Sequence, residues 1–191
     1  MCTSRFRLAV SLVETVLAVV VSAGACSNTS GLPAAHIANV VDTISLYALD
    51  GTPLSAPSGY DVESREVLRT DRSAHFDFSV NITPAGQAVL LPTGAMGLGR
   101  ASGVLRESLP FDSVTIAPPS GYNDSLAVAL DSGSVAVVRS RVSQCVFGAV
   151  VSFYGKVEVL RIDPVARRID FQVLVDQNCD YRGLEPGIPR R

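Results

Sequence analysis

Tryptophan is absent from this chain of 191 residues, and histidine occurs only at positions 36 and 75. Chemistry that needs a histidine base or a cluster of imidazole ligands therefore has almost no raw material. His36 lies beside a small, polar stretch and His75 opens a strand-like segment, so both read as surface residues. G-x-S-x-G, H-E-x-x-H and C-x-x-C are missing too, which removes the signatures of serine hydrolases, zinc peptidases and thiol redox proteins. Charge of one sign is not in excess: 16 basic and 18 acidic residues leave a net −2. A mildly acidic chain has no electrostatic footprint for nucleic acid. There is no low-complexity segment, no sign of a cofactor, and after residue 25 no apolar run long enough to span a bilayer.

What is present is strand-like. Val, Ile, Leu, Phe and Tyr recur throughout, while 15 Gly and 11 Pro are scattered at short intervals instead of gathering in a linker. The length suits one domain with a real core. This pattern predicts an all-β fold over residues 34–191, an antiparallel β-sandwich or rolled sheet. Residues 35–48 could open with a helical turn but favour a strand, and residues 62–68, 88–91, 104–109 and 114–117 read as short strands. Phe76, Phe78, Val80 and Ile82 alternate with Asp77, Ser79 and Asn81, as in a strand with one face in the core and one in water. Asp131-Ser132-Gly133 between residues 126–130 and 135–138 is a hairpin signal. The four glycines of residues 93–103 lack the strand and the Lys-Ser/Thr pair of a phosphate loop, so a mobile loop is expected. Pro57-Ser58-Gly59-Tyr60 recurs as Pro119-Ser120-Gly121-Tyr122 and reads as a duplicated turn with positive φ at glycine.

Residues 1–25 read as an export signal: Arg5 and Arg7, an apolar run from Leu8 to Val21, then small residues at 22–25. Ala23-Gly24-Ala25-Cys26 resembles the lipobox of bacterial lipoproteins, with Ala23 where that family usually has Leu. The resemblance implies lipidation of Cys26, a tether over residues 26–33, and attachment to the membrane of the cell envelope. Ordinary signal-peptidase cleavage after Ala25 fits the same residues and leaves a secreted protein. Glu14 is costly within an apolar signal. With Ala9 as last leader residue, Val10-Ser11-Leu12-Val13-Glu14 is similar to a type IV prepilin start. Ala9 and Val10 depart from that family's Gly and Phe, and its long helix would have to cross the breakers of residues 27–33. A single membrane-spanning anchor is the remaining option, with an apolar part barely long enough. Cleavage leaves 14 basic against 17 acidic residues, a net −3.

Cys2 would depart with the signal and Cys26 would be lipidated, leaving Cys145 and Cys179. In an exported protein such a pair is expected to form a disulfide, the alternative being two buried thiols. Closing the loop contributes roughly 3.5 to 4 kcal/mol in the chain-entropy model. The bond also selects a topology. If residues 146–153 were an independent strand of the series, the two cysteines would lie at opposite ends of the sheet, more than about 20 Å apart. If residues 134–142 run up, 143–152 form a loop, 153–163 run down and 168–176 run up, both cysteines meet at one end. The second arrangement is the expected one, a disulfide-clasped three-stranded meander. It resembles the C-terminal meander of haem-scavenging bacterial lipoproteins over about a quarter of the chain, although no haem-ligand pair carries over.

Asp176, Asn178 and Asp180 place oxygen atoms at alternate positions, as for a hard cation such as calcium. Tyr181 occupies the place where an EF-type loop needs Gly, so a solvated turn is the expected reading of all three. The function these observations predict is that of a non-catalytic envelope lipoprotein, a binding or interaction module for an envelope protein, glycan or small ligand. A small-molecule or haem carrier, with a pocket lined by Phe76, Phe78 and residues 146–151, is the alternative. A hydrolase would need a deep pocket joining His75 to a carboxylate and a hydroxyl.

Overall fold

A computed structural model describes residues 33–145 and 148–190. Ten strands form: β1 (Val41–Tyr47), β2 (Gly59–Asp61), β3 (Glu66–Leu68), β4 (Phe78–Ile82), β5 (Ala88–Pro92), β6 (Gly103–Glu107), β7 (Val128–Leu130), β8 (Val135–Gln144), β9 (Val150–Asp163) and β10 (Arg168–Asp176). They make two antiparallel five-stranded sheets, β1-β10-β9-β8-β6 and β3-β2-β4-β5-β7. Short 3₁₀ turns occur at Thr93–Met96 and Phe111–Ser113.

The alternation of β10 shows why the sheets face each other. Ile169, Phe171, Val173 and Val175 are buried on one face and meet Phe78, Val80 and Leu90 of the second sheet. Phe171 packs edge-on to Phe78 at 6.5 Å between ring centroids, and Tyr60 lies 5.6 Å from Phe78. Leu174, on the opposite face of β10, is buried as well. With Val135 and Val137 of β8 it belongs to a second apolar cluster completed by Phe111, Val114, Ala117 and Leu184. The outer face of the first sheet is therefore covered by two irregular segments, residues 110–122 and the C-terminal strap of residues 181–190.

The meander has the expected topology, and the Cys145–Cys179 disulfide joins the end of β8 to the end of β10 across 6.2 Å between Cα atoms. Of the expected loop over residues 143–152, however, both ends are strand. β8 continues to Gln144 and β9 starts at Val150, with Val142 opposite Ser152 and Gln144 opposite Val150. A register shift between Arg139 and Val142 makes this extension possible, because the bulge at Ser140 and Arg141 lets pairing resume beyond the core. Val146 and Phe147 lie outside the described residues.

Other expectations are corrected by tertiary pairing. Asp131-Ser132-Gly133 does turn the chain, with Gly133 at φ +81° and the Ser134 N–H donating to the Asp131 carbonyl at 3.0 Å. Its flanks do not form a hairpin: β7 pairs with β5 in one sheet and β8 with β6 and β9 in the other. The Gly133 N–H, bonded to the Val159 carbonyl at 2.7 Å, pulls the chain onto β9 instead. Residues 62–68 split into a turn and β3, with Arg65 at φ +61°. Residues 114–117 form no strand. They make single backbone bonds to the strap, the Ala117 N–H donating to the Arg182 carbonyl and the Leu184 N–H to the Thr115 carbonyl, both at 2.8 Å. The glycine-rich stretch is pinned at both ends, Thr93 Oγ1 accepting from the Ala101 and Ser102 N–H groups. Of the repeated motif, only the second copy is a turn with positive φ, at Gly121; Gly59 starts β2.

Candidate functional site

Between the strap and residues 110–117 lies a surface cleft of about 680 Å³. Its floor is buried: Phe111, Lys156, Gly183 and Pro189. Its mouth is exposed, with Asp112, Thr115, Ile116, Glu185, Ile188 and Arg190. The strap is folded tightly here, since a Cβ on Gly183 would stand 2.8 Å from Pro189 Cβ. Asn39 anchors it from the other side. The Asn39 side-chain amide donates to the carbonyls of Gly183 at 2.8 Å and Glu185 at 3.1 Å.

Lys156 is the only lysine in the chain, against 15 arginines, and its exposure is 1 %. β9 places it opposite Leu174, on the outer face of the first sheet and beneath the covering segments. The ammonium donates to the carbonyls of Phe111 at 2.7 Å and Val114 at 3.0 Å, and sits 4.3 Å from the centre of the Phe111 ring. These contacts satisfy carbonyls at the end of the 3₁₀ turn Phe111–Ser113, so Lys156 also holds that segment down. No carboxylate of the described residues forms an ion pair with it; Asp112 and Glu185 act only at longer range. Burial holds the ammonium below the usual lysine range, and the fields of those two carboxylates partly offset this. The sequence contained one clue, a lone lysine among apolar strand residues, but the C-terminal strap that makes the cleft shows no pattern of its own.

No protein-family model, curated protein or solved structure matches this chain. Its chemistry is therefore built from its own side chains.

A second charged cluster ties the sheets together at the disulfide end. Asp77 is fully buried, contrary to the solvent-facing place its alternation predicts. It accepts from the Arg141 N–H at 2.8 Å, the Arg141 guanidinium at 3.2 Å and the Val62 N–H at 2.8 Å. Arg141 also reaches Asp61 at 3.1 Å. Arg141 sits at the β8 bulge, which aims it across to the second sheet. Burial pushes the Asp77 carboxyl up to about 6, against the pull of those N–H groups and the guanidinium. Carboxylates and guanidinium saturate one another here, so the cluster reads as a clamp and not as a reactive centre.

Asp176, Asn178 and Asp180 do not converge as a cation site. Asn178 Oδ1 accepts from the N–H groups of His36 and Ile37 at 2.9 and 3.0 Å, and its amide donates to Asp176 Oδ1 at 2.8 Å. Asp180 is exposed in a turn at φ +61°. Asp176 is buried and not solvated, Asn178 donates to one of its oxygens, and burial raises its carboxyl above the usual range. Among the described residues no three His, Cys, Asp or Glu side chains gather as a metal would require. Phe76 and Phe78 are buried at 1 % and 0 % exposure, so they belong to the packed interior and do not line an open pocket. His36 and His75 are exposed, and among the described residues neither imidazole bonds to a hydroxyl. Cys26 and residues 1–25, expected to be an export signal, lie outside the described residues.

Proposed function

We propose that this chain is a non-catalytic, exported binding domain, tethered to the cell envelope through Cys26, with its ligand seat in the cleft over Lys156. The observation that carries the binding role is the cleft itself, a volume within the roughly 300–1,000 Å³ typical of small-molecule sites, floored by a buried charge. The tether rests on the lipobox-like residues 23–26. In favour of a non-catalytic role, the Lys156 ammonium is bonded to the Phe111 and Val114 carbonyls and not to the Asp112, Thr115 or Glu185 side chains that line the same cleft.

Two measurements test this reading. Replacing Cys26→Ser is expected to move the protein from the membrane fraction to the soluble one, and unchanged fractionation would remove the tether. Filling the mouth with Ile116→Trp is expected to abolish binding of any small molecule that raises the melting temperature of the wild-type protein. Binding that survives Ile116→Trp would place the ligand elsewhere.

A further inference from the structure

We infer that the Lys156 cleft takes a small monocarboxylate with an apolar body, its carboxylate meeting the Lys156 ammonium and its hydrocarbon lying along Phe111, Ile116, Ile188 and Pro189. This rests on the cleft being the ligand seat.

The first reason is charge. Lysine is almost never fully buried unless paired, because an ammonium removed from water loses its hydration. Lys156 is buried with two neutral carbonyls and an aromatic face, and with no carboxylate in contact. An ammonium has three donors, so one N–H remains available, together with a full positive charge. A ligand carboxylate supplies both the missing acceptor and the missing negative charge in one group.

The second reason is what surrounds that charge. Asp112 and Glu185 stand at the mouth beside a single opposing cation, Arg190. A ligand with one negative charge is balanced at the floor by Lys156. A phosphate monoester, carrying about −1.5 to −2 near neutral pH, would be repelled by the two carboxylates. A cationic amphiphile would be favoured at the mouth and rejected at the floor. The apolar part of the ligand has its own surface, since Ile116 and Ile188 are 54 % and 55 % exposed at the mouth and the Phe111 ring lies at the floor.

The discriminating experiment uses the exported protein as purified and four probes of one chain length: octanoate, octyl phosphate, octylamine and octanol, titrated by calorimetry at low salt. Octanoate is expected to bind at least about tenfold more tightly than the other three, the difference a charge-assisted hydrogen bond makes. Lys156→Met is expected to weaken octanoate about ten- to hundredfold while leaving octanol unchanged. Lys156→Met removes the tie to Phe111 and Val114, so Glu185→Gln, at the exposed mouth, is the companion variant. It is expected to strengthen octanoate binding and to bring octyl phosphate closer to octanoate. Octanol binding as tightly as octanoate, octyl phosphate binding more tightly, or octanoate affinity unchanged by a folded Lys156→Met protein would each overturn the carboxylate assignment. If a non-carboxylate probe bound and Ile116→Trp abolished it, the ligand class would fall and the cleft would stand. If none of the four bound, the carboxylate assignment would fall, and the cleft would fall with it only if no other small molecule showed binding that Ile116→Trp abolishes.

Discussion

Asp77 sits between the sheets with both carboxylate oxygens engaged, one by Arg141 and the other by the Val62 N–H. The loss of water outweighs these partners, so its folded-state value of about 6 lies above the ordinary 3.8. Protonation then favours the folded protein. The Asp77 contribution to stability is fully present below about pH 3.8 and is lost as pH rises through about 6. Its size is on the order of 3 kcal/mol. Asp77→Asn keeps the shape and removes the titration, so the stability difference between wild type and variant is expected to change by that amount between pH 4 and pH 7. Asp176, raised in the same direction by burial, persists in both proteins and cancels. Chemical denaturation across this range is the check, and parallel profiles would show that Asp77 is not burdened by its burial. None of this was visible in the sequence. Alternation placed Asp77 with Ser79 and Asn81 on a wet face, and only the approach of the β8 bulge, with Arg141 on it, makes that place dry. Lys156 is the converse case: a single lysine is legible, but the strap that covers it is made of residues distant in sequence.

At the scale of elements, the β8-β9-β10 meander was legible for two separate reasons. Its apolar residues Ile169, Phe171, Val173 and Val175 keep period two along β10, with Leu174 the one apolar residue between them, and two cysteines with a fixed reach admit one of the two topologies considered. The hairpin extension to Gln144 and Val150 was not legible, because Val142 and Val150 are apolar yet 63 % and 65 % exposed. An apolar run signals burial only when a core exists to bury it. The disulfide closes this extension onto the end of β10, and it stabilises chiefly by restricting the unfolded chain. The double replacement Cys145→Ala, Cys179→Ala is expected to lower unfolding free energy by about 2–4 kcal/mol, with the far-ultraviolet circular dichroism of the folded protein unchanged. A denaturation midpoint equal to that of wild type would refute this. The β7–β8 turn carries a further lesson about elements. Asp131-Ser132-Gly133 specifies a reversal of direction, but not whether the next strand rejoins the same sheet, a choice made by the bond from Gly133 to Val159.

For the molecule as a whole, the decisive feature is that the first sheet is covered on both faces. One face meets the second sheet; the other meets residues 110–122 and the strap. Leu184 is fully buried there, above Leu174 and Val137. Deleting residues 181–191 is expected to cost about 3 kcal/mol or more, since a buried leucine is worth roughly 1.5–3 kcal/mol and Leu174 is uncovered with it. Binding of a hydrophobic dye to the truncated protein is the accompanying readout. A truncated protein that stays as stable as the full chain and binds no dye would mean the strap is only a surface tail. The sequence by itself determined the strand class, the antiparallel meander and the cysteine pair, because period-two alternation, turn residues and a covalent bond of fixed length all act over short range. The tertiary structure alone decided which sheet each strand joined, that Asp77 and Lys156 are buried, and that a cleft forms over the only lysine. Each of these depends on which distant segments come to lie against a strand, and no local pattern of residues encodes that meeting.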